Sequence, residues 1–89
     1  MQRLKSKRVI VYSQLDCPAC QWARDYLSRR AVAFEVRDIT TDGEALEQLL
    51  TRYQSRSTPT IIVGDQIMIG FDPQRLDAML AASEDPGED

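Results

Sequence analysis

The chain has no histidine among its 89 residues. That one absence removes imidazole bases, imidazole metal ligands and the side chain that most often changes charge near neutral pH. Long apolar runs are missing too. Runs such as Val9 to Tyr12 and Ile61 to Val63 fall far short of the roughly 20 residues a membrane span needs. The charged start, Met1 to Arg8, leads into no apolar stretch of about 7–15 residues such as a secretory signal carries. A cytoplasmic protein with no membrane partner is expected. Aromatics are scarce, with one Trp, three Tyr and two Phe, and the net charge is −3. No basic footprint for a phosphate backbone results, so nucleic acid is not expected as a partner.

What is present is ordinary globular composition, 43% hydrophobic and 28% charged, in a chain long enough for one domain with one modest core. The charge is uneven. Residues 1–37 hold eight Lys or Arg against three Asp or Glu, and residues 38–89 hold three against eleven. The basic N-terminal arm reads as a solvated segment. Ser83 to Asp89 has no apolar residue to bury, so residues 83–89 are expected to be a disordered acidic tail on a single domain spanning 1–82.

Hydrophobic periodicity changes several times along that domain. Arg8 to Tyr12 is apolar and β-branched, as in a strand buried on both faces. Pro18 suits the first turn of a helix, in which Cys20, Ala23, Tyr26 and Leu27 share a face and Arg29 and Arg30 suit the C-terminal end. Val32, Phe34 and Val36 alternate with Ala33, Glu35 and Arg37, the period of a strand. Thr41 with Glu44 has capping-box spacing, and Ala45, Leu46, Leu49, Leu50 and Tyr53 form the stripe of a second helix. Two short apolar runs, Thr60 to Val63 and Gln66 to Ile69, flank Gly64-Asp65, which suits a type II′ hairpin turn. Asp72 before Pro73 predicts an N-cap, with Leu76, Met79 and Leu80 on the buried face of the last helix. The order βαβαββα implies parallel first strands, an antiparallel hairpin and a four-stranded mixed sheet with helices on its faces: a small α/β fold.

The chemistry lies in Cys17-Pro18-Ala19-Cys20. A structural disulfide here would close too small a loop to constrain the unfolded chain much. Zinc takes about four ligands, and two thiols without histidine fall short unless two chains share the site. The third reading is reversible dithiol–disulfide chemistry, for which C-x-x-C in a cytosolic α/β chain is a specific signal. At the start of a helix, Cys17 lies beside unpaired N–H groups and the positive end of the helix dipole, which favour a thiolate. Cys20, nearly a turn later, is more buried. Cys17 is thus the expected nucleophile and Cys20 the resolving thiol. Asp16, next to Cys17, opposes the thiolate.

Three motifs in order, Cys17-Pro18-Ala19-Cys20, Ser57-Thr58-Pro59-Thr60 and Gly70-Phe71-Asp72, resemble the glutaredoxin family of the thioredoxin fold over roughly residues 8–82. The resemblance implies a cis Pro59 against the cysteines and a Thr58 backbone that pairs with a substrate peptide. It also implies a groove bordered by Gly70, Phe71 and Asp72, with Gly70 allowing close backbone approach. Glutathione-using members carry a Gly-Gly-x-Asp-Asp-type segment where this chain has Ile69-Gly70-Phe71-Asp72-Pro73, and often a lysine where it has Gln14. Gln14 and Arg56 remain as glutathione contacts, Arg56 for the glycyl carboxylate. Gly70-Phe71-x-Pro73 resembles NrdH-type and YruB-type redoxins, although the NrdH pattern has Trp and Arg in place of Met68 and Asp72. NrdH-type members take electrons from thioredoxin reductase.

The expectation is a monomeric dithiol oxidoreductase, with no bound cofactor or metal, that reduces protein disulfides through a Cys17–Cys20 disulfide. Its reductant is a protein such as thioredoxin reductase, or alternatively glutathione as co-substrate. The reading of another class is a dimer that holds an iron–sulfur cluster or zinc through Cys17. Trp22 is expected to pack against a strand and Asp25 to be a surface charge.

Overall fold

The computed structural model describes residues 8–83, with the side chain of Ser83 excepted. The N-terminal arm 1–7 and residues 84–89 of the expected tail lie outside the described residues. Seven elements follow one another: β1 (Val9–Ser13), α1 (Pro18–Arg29), β2 (Glu35–Asp38), α2 (Gly43–Thr51), β3 (Thr60–Val63), β4 (Gln66–Ile69) and α3 (Pro73–Ser83). The sheet order is β2-β1-β3-β4. β1 pairs parallel with β2, with Val11 opposite Val36, and antiparallel with β3, with Val11 opposite Ile61. β3 and β4 form the hairpin, in which Gly64 takes a φ of 63° at the first turn position. This is the βαβαββα order that the periodicity predicts and the thioredoxin-like architecture that the resemblance implies. No helix among the described residues is long and apolar enough to cross a membrane.

β1 and β3 are buried throughout, because helices cover both faces of the central pair. On one face Ala23 and Leu27 of α1 and Leu76, Met79 and Leu80 of α3 pack on Val9, Val11, Ile61, Val63 and Met68. On the other, Ala45 and Leu49 of α2 pack on Ile10, Tyr12 and Ile62. The second layer is thinner than the sequence stripe implies. Leu46 and Leu50 remain 38% and 41% exposed, since a lone helix buries only the narrow strip of residues that faces the sheet.

Two boundaries differ from the sequence reading. The second strand begins at Glu35 rather than Val32, because α1 ends in a Schellman motif. The Val32 N–H bonds the Leu27 carbonyl at 3.1 Å and the Ala31 N–H bonds that of Ser28 at 3.0 Å, with Ala31 at φ 57°. Val32 and Phe34 pack on the core as part of this connection, whereas Val36 on the edge strand is exposed. The motif usually takes glycine, and alanine hides it. The cap of α2 also moves by one residue. Asp42, not Thr41, accepts the N–H groups of Glu44 at 3.0 Å and Ala45 at 3.2 Å, since a carboxylate meets the helix dipole better than a hydroxyl.

The left-handed conformation costs an L-residue roughly 1–2 kcal/mol, part of which a glycine returns as unfolded-state entropy. Ala31→Gly is therefore expected to stabilise the protein by about 0.5–1 kcal/mol, raising the melting midpoint by a few degrees. An unchanged or lower midpoint in a thermal scan would show that residue 31 is not strained.

Candidate functional site

Three segments far apart in sequence meet at the N-terminus of α1. Cys17 is the N-cap of this helix, in extended conformation, and Pro18 is its first residue. The strand-to-helix turn is set by Asp16, at φ 58°, and by two ties to the loop after β2. Ile39 N–H bonds the Ser13 carbonyl at 2.9 Å, and Leu15 N–H bonds Thr40 Oγ1 at 3.1 Å. Cys17 and Cys20 form a disulfide, with Cα atoms 5.2 Å apart. Cys20 is fully buried beneath the helix start, while Cys17 and Ala19 are half-buried and Pro18 exposed. An incoming group thus meets Cys17 first. The Cys17 sulfur accepts the Cys20 N–H at 3.1 Å, so the reacting atom also caps the helix. Thr58 Oγ1 donates to the same sulfur across a longer 3.8 Å.

Thr58 is carried by the segment that leaves α2. Ser55, buried, donates its N–H to the Leu49 carbonyl at 3.0 Å and shares a 2.8 Å hydrogen bond with Thr60 Oγ1. The Thr58–Pro59 peptide bond is cis and Pro59 is fully buried. The Pro59 carbonyl accepts the Gly70 N–H at 2.8 Å, which draws the third motif to the same place. Gly70 takes a φ of 92°, which L side chains rarely adopt, and among the described residues nothing lies within 4 Å of where its Cβ would be. Phe71 stacks edge-on to Tyr26, with centroids 5.6 Å apart. The Tyr26 hydroxyl donates to Asp77 at 2.6 Å. That hydrogen bond, and then burial, hold the Tyr26 pKa above its ordinary 10.0. Asp72 Oδ1 accepts the N–H groups of Gln74 at 3.1 Å and Arg75 at 3.4 Å, which makes it the N-cap of α3.

The remaining sequence candidates are placed less centrally. Arg56 is exposed and makes no hydrogen bond or ion pair among the described residues. Asp25 is exposed and accepts from the Gln21 side chain at 3.0 Å. Trp22 is 62% exposed rather than packed on a strand, because the phase of α1 turns Cys20, Ala23 and Leu27 to the sheet and Trp22 away from it.

The sequence reading missed a cleft on the β2 side of Cys17. It has a volume of about 520 Å³ and is lined by Cys17 and Pro18, by Gln21 and Arg24 further along α1, and by Val36 and Asp38 of β2. Gln14, Leu15 and Asp16 edge it, and the buried Ser13 completes it. Arg24 donates to Ser13 Oγ at 2.9 Å and to Gln21 Oε1 at 2.6 Å. No three His, Cys, Asp or Glu side chains among the described residues are grouped as a metal-ligand set.

A glutaredoxin family model matches residues 9–68 of the chain. The thioredoxin-like protein BC3987 is similar in structure with a TM-score of 0.79 and 36% identity, over 82% of this chain and 100% of that one. The glutaredoxin-like NrdH-redoxin of Escherichia coli is similar with a TM-score of 0.71 and 30% identity, over 80% and 92% of the two chains. A glutaredoxin-like protein from a rubredoxin operon of Clostridium pasteurianum is 23% identical, over 79% of this chain and 93% of that one. Sheet order, disulfide and family match agree, and the chain belongs to the glutaredoxin family as a thiol–disulfide redox protein with an NrdH-type redoxin among its structural relatives.

Proposed function

We propose that the protein is a dithiol oxidoreductase that reduces disulfides of partner proteins in the cytoplasm, working as a single subunit and recharged by a protein reductant. The observation that carries this reading is the unequal burial of the two cysteines, half-buried at Cys17 and fully buried at Cys20. In the reduced form the Cys17 thiolate attacks one sulfur of the partner disulfide. The partner's S–S bond breaks, its leaving thiolate takes a proton, and Cys17 is joined to the partner. The Cys20 thiolate then attacks the Cys17 sulfur, releases the second partner thiolate and forms the Cys17–Cys20 disulfide. Two electrons pass to the partner in total. The edge of the groove by Thr58 and Pro59 is suited to an extended partner segment.

The choice of reductant rests on the loop before α3. Where glutathione-using relatives offer a second acidic side chain, Pro73 has neither an acceptor side chain nor an N–H, and the Asp72 carboxylate is engaged in capping. One charge-assisted hydrogen bond contributes roughly 1.5–3 kcal/mol, so its loss weakens glutathione about tenfold to a hundredfold. The E. coli NrdH-redoxin, a glutaredoxin-like protein with a thioredoxin-like activity profile, supports the same choice. A coupled assay comparing thioredoxin reductase with glutathione plus its reductase tests it. Faster turnover with thioredoxin reductase is expected. Efficient turnover on glutathione alone would overturn the reductant assignment and leave the dithiol chemistry standing.

A further inference from the structure

Arg24 is a half-buried cation held at two points, by Ser13 Oγ and Gln21 Oε1, and no carboxylate among the described residues comes within ion-pair distance of it. A guanidinium fixed in this way, without a direct ion-pair partner and open to a cleft, is a receptor for a planar anion. The cleft also contains negative charge. Asp38 is half-buried and uses Oδ1 to accept the Thr40 N–H at 2.8 Å, which fixes its orientation and leaves Oδ2 for another donor. Asp16 at the edge is exposed. A simple anion would be repelled by these carboxylates and a simple cation by Arg24. A group that carries one carboxylate and one ammonium close together satisfies both.

The cleft includes Cys17 but not Cys20 among its lining residues, so a sulfur attached to the bound group would be next to the exposed sulfur of the pair. Its volume of about 520 Å³ lies within the range of small-molecule sites, and Leu15 and Val36 supply apolar lining for a methylene. We propose that this cleft is a subsite for the α-amino-acid end of a small aminothiol, with Arg24 holding the carboxylate and Asp38 the ammonium, and that the reduced protein therefore acts on cystine-type disulfides. The inference rests on the dithiol reading above. Cystine enters with one half in the cleft. The Cys17 thiolate attacks the sulfur of that half, the S–S bond of cystine breaks, and the other half departs as a cysteine thiolate that takes a proton. Cys20 then displaces the bound half as a second cysteine. The protein gives up two electrons and cystine accepts them.

Four small disulfides separate the contributions: cystine, cystamine with ammonium groups only, 3,3′-dithiodipropionate with carboxylates only, and bis(2-hydroxyethyl) disulfide with neither. The pre-reduced full-length protein is mixed with each, and each second-order rate is divided by that of dithiothreitol on the same compound to remove leaving-group acidity. Cystine is expected to exceed the hydroxyethyl compound by at least about tenfold on this scale, the equivalent of one charge-assisted hydrogen bond. Arg24→Gln should then lower the normalised rates of cystine and dithiodipropionate relative to cystamine. Asp38→Asn should lower those of cystine and cystamine relative to dithiodipropionate. The opposite patterns of the two variants separate recognition from any loss of folding, which would lower all four together. Arg29→Gln, on the exposed end of α1 away from the cleft, controls for net charge. Reduction of the hydroxyethyl compound without preference for cystine overturns the subsite and spares the dithiol reading. Failure to reduce any of the four overturns the subsite, and failure to reduce the disulfides of insulin as well overturns the dithiol reading.

Discussion

Cys20→Ser is expected to arrest the protein as a mixed disulfide with its partner, attached through Cys17, while Cys17→Ser abolishes both trapping and disulfide reduction. The asymmetry follows from where the sulfurs lie. Cys17 is half-exposed at the helix start and Cys20 is fully buried behind it, so a folded partner can approach only the first. Its surroundings also favour the thiolate at that position. The sulfur accepts the Cys20 N–H and the Thr58 hydroxyl, and both bonds strengthen when the acceptor is charged. Cys20, fully buried and with its Cα 5.2 Å from that of Cys17, is placed to attack only the Cys17 sulfur. Non-reducing gels with peptide mass spectrometry give the outcome. A partner found on residue 20, or trapping that persists without Cys17, would reverse the roles.

Leu49→Ala is expected to be among the most damaging substitutions outside the cysteines. Leu49 is fully buried and, with Ala45, is how α2 fastens to Ile10, Tyr12 and Ile62. A Leu to Ala change in such a place costs about 2–5 kcal/mol, against a total stability of roughly 5–15 kcal/mol for a domain. The melting midpoint should fall by about 10–30 °C. The site should respond before the fold is lost, because the segment leading to Thr58 is tied to the Leu49 carbonyl through Ser55. Faster amide exchange at residues 55–58 is the expected local sign. A loss below about 1 kcal/mol would mean that the neighbours collapse into the space left behind.

Most of the fold was legible because its signals are local. Arg8 to Tyr12 is apolar without alternation, Gly64-Asp65 demands a tight turn, and Asp72-Pro73 announces a helix. The misreadings came where a local signal had a stronger neighbour or no signal existed. Thr41 and Glu44 have the right spacing for a cap, but Asp42 lies between them and takes the position. Arg29 and Arg30 mark the end of α1, but Ala31 does what glycine usually does, so nothing in the sequence shows the turn that shortens the strand that follows. Trp22 suggested packing by its size, yet its place around the helix decided its exposure. The cysteines and Thr58-Pro59 could be found because each is a short motif. The cleft could not, because it depends on Arg24 reaching Ser13, 11 residues earlier and on a different element, and on β2 bringing Asp38 alongside.

The sulfur of Cys17 that caps α1 through the Cys20 amide gives the protein a gauge of its own state. A disulfide sulfur is a weak acceptor and a thiolate a strong one, so the same hydrogen bond tightens on reduction and slackens on oxidation. The amide proton of residue 20 should therefore shift downfield when Cys17 is a thiolate and return when either disulfide forms. A single backbone resonance would then follow the electron content of the molecule in real time, with no dye, label or coupled enzyme.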